Sequence, residues 1–275
     1  MNYELDHPEI RHAVSKLCAN FPGPYWQKCD RENSYPSEFV AALTDAGYLA
    51  ALIPEKFGGL SLPLSAAAAI LEEIHRSGGN AAACHAQMYT MGTLLRHGSE
   101  TQKAQYLPDV ASGALRLQAF GVTEPSSGTD TTSLKCTARR EGDTYVVNGQ
   151  KIWTSNAHEA THMFCLVRTA TQGRPQQGIT FLLIDMQTPG ITVEPIISLS
   201  GVHEQNTVFL DNVRVPQGNR VGEEDKGWTV AKYLLEFERG TLVISPMLRK
   251  NLGLVRLRSF SVVSSCRVGG LLLKR

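Results

Sequence analysis

Long apolar runs are missing from this 275-residue chain, so no stretch of it is suited to cross a bilayer as a helix. No Cys-x-x-Cys pair occurs among its six cysteines, Cys18, Cys29, Cys84, Cys136, Cys165 and Cys266. That scatter excludes the usual spacing of a zinc ribbon or dithiol site and suits reduced core thiols in a cytoplasmic protein. No Asn-x-Ser/Thr sequon occurs, and the opening residues MNYELDHPEI lack the basic and apolar parts of a leader peptide. No Gly-x-Gly-x-x-Gly follows a strand-like run, so a nicotinamide enzyme of the Rossmann type is not expected. Internal repeats and low-complexity segments are absent too. Acidic residues are missing from residues 241–275, which hold seven basic ones, leaving 20 basic against 26 acidic side chains elsewhere, a balance of −6. Those basics alternate with Leu and Val and have no aromatic stacking platform. Neither a nucleic-acid nor a membrane partner is therefore expected.

What is present falls into three textures. Residues 1–114 read as helical. PSEFVAALTDAG has a start signal at Ser34 and Pro36, a 3.6-residue apolar period and Gly47 as its stop. LPLSAAAAILEEIHRSGG is Ala-rich and closes on two glycines. NAAACHAQMYTMGTLLRHG starts at a capping Asn80 and ends on Arg96, His97 and Gly98. SETQKAQYLPDVASGA predicts a short helix broken before Pro108. Residues 115–225 are β-rich: LRLQAFGVTEP, LKCTARRE, TYVVNGQKIWTS, MFCLVRTA, ITFLLIDM and ITVEPIISL are short runs divided by turn residues. REGDT and the Asn148–Gly149 of VNGQ read as hairpin turns, and TVFLDNVRVP as two further strand pieces. From residue 226 the pattern returns to helix in GWTVAKYLLEFERG. The fold class expected is α+β: an all-helical N-terminal domain, a middle antiparallel β-sandwich or barrel, and the start of a C-terminal helical bundle within 226–275.

One motif invites a metal reading. His158-Glu159-Ala160-Thr161-His162 matches H-E-x-x-H, the zinc-protease pattern. Two histidines at that spacing converge on one ion only on a helix, where they lie ~6 Å apart along the axis; extended, they stand ~13 Å apart. A strand candidate ends at Ser155 and another begins near Met163, which leaves about one turn of chain. A metal site is therefore not expected.

The string QAFGVTEPSSGTDTTSLKCTARREGDTYVVNGQKIWTSN is more specific. It closely resembles the acyl-CoA dehydrogenase family, whose middle domain carries a V-T-E-P-x-x-G-S-D stretch followed by G-x-K-x-W-I-T-N. IPEKFGGLSLPLSAAAAILEEI looks like that family's first helical domain, and LDNVRVPQGNRVGEEDKGW like its exit from the β-domain. The resemblance runs from about Leu49 to Arg239. It implies FAD as cofactor and an acyl-CoA thioester as substrate. Electrons would pass to an electron-transfer flavoprotein, and the full-length form would be a homo-oligomer serving fatty acid metabolism. Flavin-lining positions would be Phe120, Val122, Thr123, Gly128, Thr129, Trp153, Thr154 and Ser155, with Thr129 also touching CoA. A bottom-up reading agrees: strand ends and tight loops supply the dry wall and few fixed polar groups that such a ring needs. Ser155 replaces the family's Thr and Thr129 its Ser, each keeping a hydroxyl.

The resemblance further implies a carboxylate that removes an α-proton while hydride leaves the β-carbon. LEFER aligns with the string that carries this base in isovaleryl- and long-chain-type members, which selects Glu238, with Glu236 and Arg239 as substrate contacts. Most members place the base later, beyond residue 275. After Arg239 the resemblance thins, and no R-x-x-F-G occurs. The alternative expectation is therefore a truncated, non-catalytic flavin-binding fragment or partner subunit. An oxidase that reduces O₂ is a third possibility.

Overall fold

The computed structural model describes residues 6–236 and 238; the expected C-terminal bundle and basic tail, and Arg239, lie outside the described residues. Six helices come first: α1 (Pro8–Cys18), α2 (Gly23–Glu32), α3 (Ser37–Asp45), α4 (Leu64–Arg76), α5 (Ala82–His97) and α6 (Glu100–Ser112). Seven strands follow: β1 (Ala119–Gly121), β2 (Thr137–Glu141), β3 (Thr144–Ser155), β4 (His162–Arg168), β5 (Ile179–Asp185), β6 (Ile191–Ile197) and β7 (His203–Pro216). A helix over 227–236, α7, closes the described chain. Helical, then β, then helical again is the order the residue textures imply.

Side-chain capping is clearest at α6. Ser99 caps α6 by accepting from the Gln102 amide, while the Gln102 side chain accepts from the Ser99 amide, a reciprocal capping box. Asn80 accepts from Ala82 N at 2.8 Å, one residue before the cap position it was expected to fill. The expected break before Pro108 does not happen, and α6 runs through it to Ser112. An interior proline costs roughly 3 kcal/mol in an isolated helix. Here Tyr106, Leu107 and Val110 are buried on the inner face of α6, and that packing outweighs the lost hydrogen bond.

The sheet runs β1-β4-β2-β3-β7-β6, with β5 paired to β4. Most pairings are antiparallel as expected, but β1 lies parallel to β4, and β2 meets β4 in parallel at Thr137–Arg168. The sheet is thus mixed. Asn148–Gly149 is not a hairpin turn: β3 continues straight through it, because β7 supplies a 14-residue partner for its whole length. The register instead slips between Val147 and Gly149, a bulge in which Gly149 takes φ 150°. Any Cβ there would stand 2.7 Å from Cys136 Cα, so only glycine fits. Opposite the bulge Asn212 adopts φ 50°, and its amide donates to Asn148 Oδ1 at 2.9 Å, which keeps TVFLDNVRVP a single strand.

Strands β4 and β5 are buried on both faces. Phe164, Leu166, Phe181 and Leu183 pack into the core shared with α3–α7, whereas Met163, Cys165, Leu182 and Ile184 enter the interior of the β-layer. The link between α6 and β1 is fastened from α5. Buried Gln87 accepts from Leu117 N at 3.2 Å and donates to Leu115 O at 3.4 Å, while Thr90 donates to Leu117 O at 2.6 Å. Polar residues on the inside of a helix are thereby satisfied by an extended neighbour. Gln87→Leu, similar in size, strands those two backbone groups. It is expected to destabilise the protein by about 1–3 kcal/mol in urea melts, and a change under 0.5 kcal/mol would show the link is held elsewhere.

Candidate active site

Trp153 is the most exposed large aromatic of the β-layer, 57% accessible, and it sits at φ 59°. Both facts have one cause. Lys151 pairs with Val208 and Thr154 with Asn206, so β3 spends one more residue than β7 across this step. The bulge turns Trp153 out of the sheet and into left-handed backbone, strain of order 1–3 kcal/mol.

The loop of residues 120–129 is tied to β3 by one backbone hydrogen bond next to Trp153. Ile152 N donates to Thr123 O at 2.9 Å, which sets residues 120–124 alongside β3 just before the indole. Phe120 and Val122 are partly buried against the helical core, Phe120 with its ring 5.9 Å from that of Phe181. A tight turn follows, with Glu124 and Ser127 exchanging backbone hydrogen bonds at 3.0 and 3.1 Å. Gly128 and Thr129 are exposed beyond it, and a Cβ at Gly128 would meet no atom within 4 Å, so open space lies there. On the other side, Ser155 Oγ accepts from Gln205 Nε2 at 2.9 Å, and the buried Thr154 hydroxyl has no hydrogen-bond partner. A cleft of about 920 Å³ opens beside Ser155, between α2, Tyr35 and Asn80 on the helical side and His158 and His203 on the β side.

Beneath this wall lies a contact that sequence reading missed. Lys151 and Glu124, both essentially fully buried, form an ion pair with Nζ 2.8 Å from Oε1. Glu124 also accepts from the backbone amides of Lys135 at 2.6 Å and Cys136 at 2.9 Å. Both residues were visible in the V-T-E-P and G-x-K-x-W strings; what they lacked was any sign that they face each other. Gly121 packs tightly over the same spot, its Cβ position 3.1 Å from Lys151 Cγ. Cys136 and Cys165 lie alongside with their thiols hydrogen-bonded, and all five described cysteines are free thiols. Burial pushes the Cys84 thiol up to about 12, so it stays protonated.

The candidate base stands on α7's continuation. Glu236 is exposed and Glu238 half-buried, as residues two apart on a helix must diverge. The His85 ring bonds to the Glu238 backbone, and the Glu238 charge helps raise the Tyr89 hydroxyl, whose largest perturbation is burial. The backbone at Glu238 therefore lies beside α5, where His85 and Tyr89 meet edge-to-face at 5.2 Å. Burial holds His85 below the ordinary imidazole range.

The H-E-x-x-H residues go separate ways. His158 lies in the turn after β3 and stacks on His203 with centroids 4.0 Å apart; His162 begins β4 and meets Tyr106 edge-on at 5.9 Å. Among the described residues no three His, Cys, Asp or Glu side chains gather as metal ligands would. No described helix is long and apolar enough to cross a membrane.

Comparison with known proteins bears on the family and the fold. Residues 4–114 match the family model for the acyl-CoA dehydrogenase N-terminal domain, and residues 119–213 that for its middle domain. Acyl-CoA dehydrogenase FadE29 of Mycobacterium tuberculosis is 36% identical over 232 residues, 84% of this chain and 59% of that protein. Mitochondrial isovaleryl-CoA dehydrogenase of Pongo abelii is 30% identical, over 87% of this chain and 58% of that one. The crystal structure of an acyl-CoA dehydrogenase from Geobacillus kaustophilus superposes with a TM-score of 0.81 at 27% identity, covering 89% of this chain and 65% of that one. The chain thus spans about three fifths of the length of these curated relatives. With a helical layer, a mixed sheet and two contiguous domain matches in the same order, the chain belongs to the acyl-CoA dehydrogenase family.

Proposed function

We propose that this chain binds FAD against Trp153 and the loop from Phe120 to Thr129, and serves the α,β-dehydrogenation of an acyl-CoA thioester. The observation that carries the reading is Trp153 itself: a large aromatic held outward at positive φ, beside a loop bonded to its own strand. An apolar plane kept in water at a cost in strain is a surface made for a flat partner. Phe120, Val122 and Thr123 would form the adjoining wall, with Gly128 and Thr129 at its open end. Thr154 and Ser155 would supply hydroxyls at the ring edge. The unpartnered Thr154 hydroxyl fits a wall completed by a ligand. Bound flavin would supply the hydride acceptor.

The protein's own part is proton abstraction and water exclusion. An α C–H of a thioester is a weak acid, so its removal needs a carboxylate of restricted hydration. Glu238, half-buried beside α5, meets that need better than exposed Glu236. Glu236 and Arg239 would contact substrate, and Thr129 the CoA. Electrons would leave to an electron-transfer flavoprotein, in a cytoplasmic homo-oligomer.

The test is direct. The purified protein should show a flavin spectrum that bleaches when butyryl- or isovaleryl-CoA is added anaerobically. Glu238→Gln should keep the colour but slow bleaching at least 10²-fold. Colour with no bleaching in the unaltered protein would instead support a binding-only flavoprotein. Peroxide formed during turnover would favour the oxidase, and colourless protein at saturating FAD would end the proposal.

A further inference from the structure

The stacked histidines beside the cleft are tied to the Trp153 bulge through a single buried amide. Asn206 is fully buried on β7, directly opposite Thr154. Its Nδ2 donates to Thr154 O at 3.0 Å and lies 3.1 Å from His158 Nδ1, while its Oδ1 is 2.7 Å from His203 Nε2. These contacts leave one consistent assignment of protons. A carbonyl oxygen can only accept, so the amide nitrogen must face Thr154. The same nitrogen then faces His158, so Nδ1 of His158 must be the bare, accepting nitrogen. The amide oxygen needs a donor, so His203 Nε2 carries a hydrogen. The cluster is satisfied only while His158 is neutral.

We infer that Asn206, His158 and His203 are positioning residues that hold the Trp153–Thr154 bulge, and that protonation of His158 releases it. A proton on Nδ1 sets N–H against the amide N–H₂ and breaks that bond. The resulting cation also stacks on a second imidazole 4.0 Å away. The amide that holds the Thr154 carbonyl, one residue from the strained indole, is then free to turn. Other charges around the pair are few. Glu159 lies 4.0 Å from His158 Nε2, Glu204 is the neighbour of His203, and Asp30, Cys29 and Tyr35 line the cleft from α2 and the loop after it. Burial and then the His203 charge lower the affinity of His158 for protons, and Glu159 opposes them less strongly. The Asn206 contact adds a smaller opposing effect that applies only if the amide turns its oxygen toward His158, which would give up the bond to Thr154. The sign follows: a depressed imidazole keeps the clamp closed above its ordinary range near 6.5, and the clamp is lost as pH falls through the lowered value.

The inference concerns the backbone at Trp153, so its first test needs no flavin. The chain has three tryptophans, Trp26, Trp153 and Trp228, and 5-fluorotryptophan labelling gives each a ¹⁹F resonance, with Trp153→Phe assigning the one of interest. The Trp153 resonance should shift in a single step between pH 8 and 5. In His158→Gln, whose amide oxygen accepts at every pH, that step should vanish. In Asn206→Asp, which cannot donate to Thr154, the pH 8 resonance should already sit near the acidic position. A Trp153 signal that stays still in the unaltered protein, or titrates unchanged in His158→Gln, would overturn the inference. The second measurement rests on the proposed flavin site. FAD affinity should weaken roughly tenfold across the step, about 1.4 kcal/mol, and stay flat in His158→Gln. If FAD does not bind at any pH, the flavin proposal fails while the ¹⁹F result still decides this one.

Discussion

Replacing Lys151 by methionine is expected to lower the unfolding free energy by about 3–5 kcal/mol, the usual cost of leaving one member of a buried ion pair without its partner. Methionine matches the length of the lysine stem, so the change removes charge more than volume. Glu124 would keep its two amide donors from Lys135 and Cys136, at 2.6 and 2.9 Å, but lose the ammonium at 2.8 Å while remaining buried. The pair joins three stretches: the loop after β1, the approach to β2, and β3 just before Trp153. Its loss should therefore loosen the proposed flavin wall along with the fold. The double variant Lys151→Met/Glu124→Gln, which removes both charges, should recover only part of the stability, because the glutamine oxygen can accept from one of the two backbone amides while its NH₂ faces the other. Urea denaturation followed by far-UV circular dichroism measures both. A single variant within 1 kcal/mol of the unaltered protein would mean the interior relaxes enough to hydrate Glu124.

Trp153→Gly should separate binding from stability. Deleting a core tryptophan costs about 3–5 kcal/mol. At Trp153 the side chain is 57% exposed and its backbone lies where glycine is at ease, so relief of strain offsets the lost packing and the added chain entropy. The expected change in stability is under about 1 kcal/mol. Flavin affinity, by contrast, should fall by one to two powers of ten, since stacking on an indole is worth about 1–3 kcal/mol. Thermal melts and FAD titration of the apoprotein report the two quantities separately. A destabilisation above 3 kcal/mol with unchanged FAD affinity would make Trp153 an ordinary packing residue.

The helical and β textures, and their order, were legible because periodicity and turn residues act locally. The residues proposed to line the flavin could be singled out only through an ordered string resembling a family; composition alone would not single out Thr123 or Thr154. Three features escaped because their causes lie far away in sequence. Asn148–Gly149 has the local chemistry of a hairpin turn, and what straightens it is β7, some sixty residues on. Pro108 looks like a helix end until the burial of Tyr106 and Leu107 is known. Glu124 and Lys151 carry no local sign that the loop after β1 and strand β3 bring them together. His158 stood out through its spacing from His162, but the contact that matters, to Asn206, has no local signal in the sequence.

Since β4 and β5 present no face to water, the helical and β portions have one wall in common. Cutting the chain between α6 and β1 would separate two neat segments of sequence yet wet Phe164, Leu166, Phe181 and Leu183 at once. The protein is better pictured as a single masonry course with rooms on either side than as two houses joined by a corridor. A change made in one room bears on the other through those bricks.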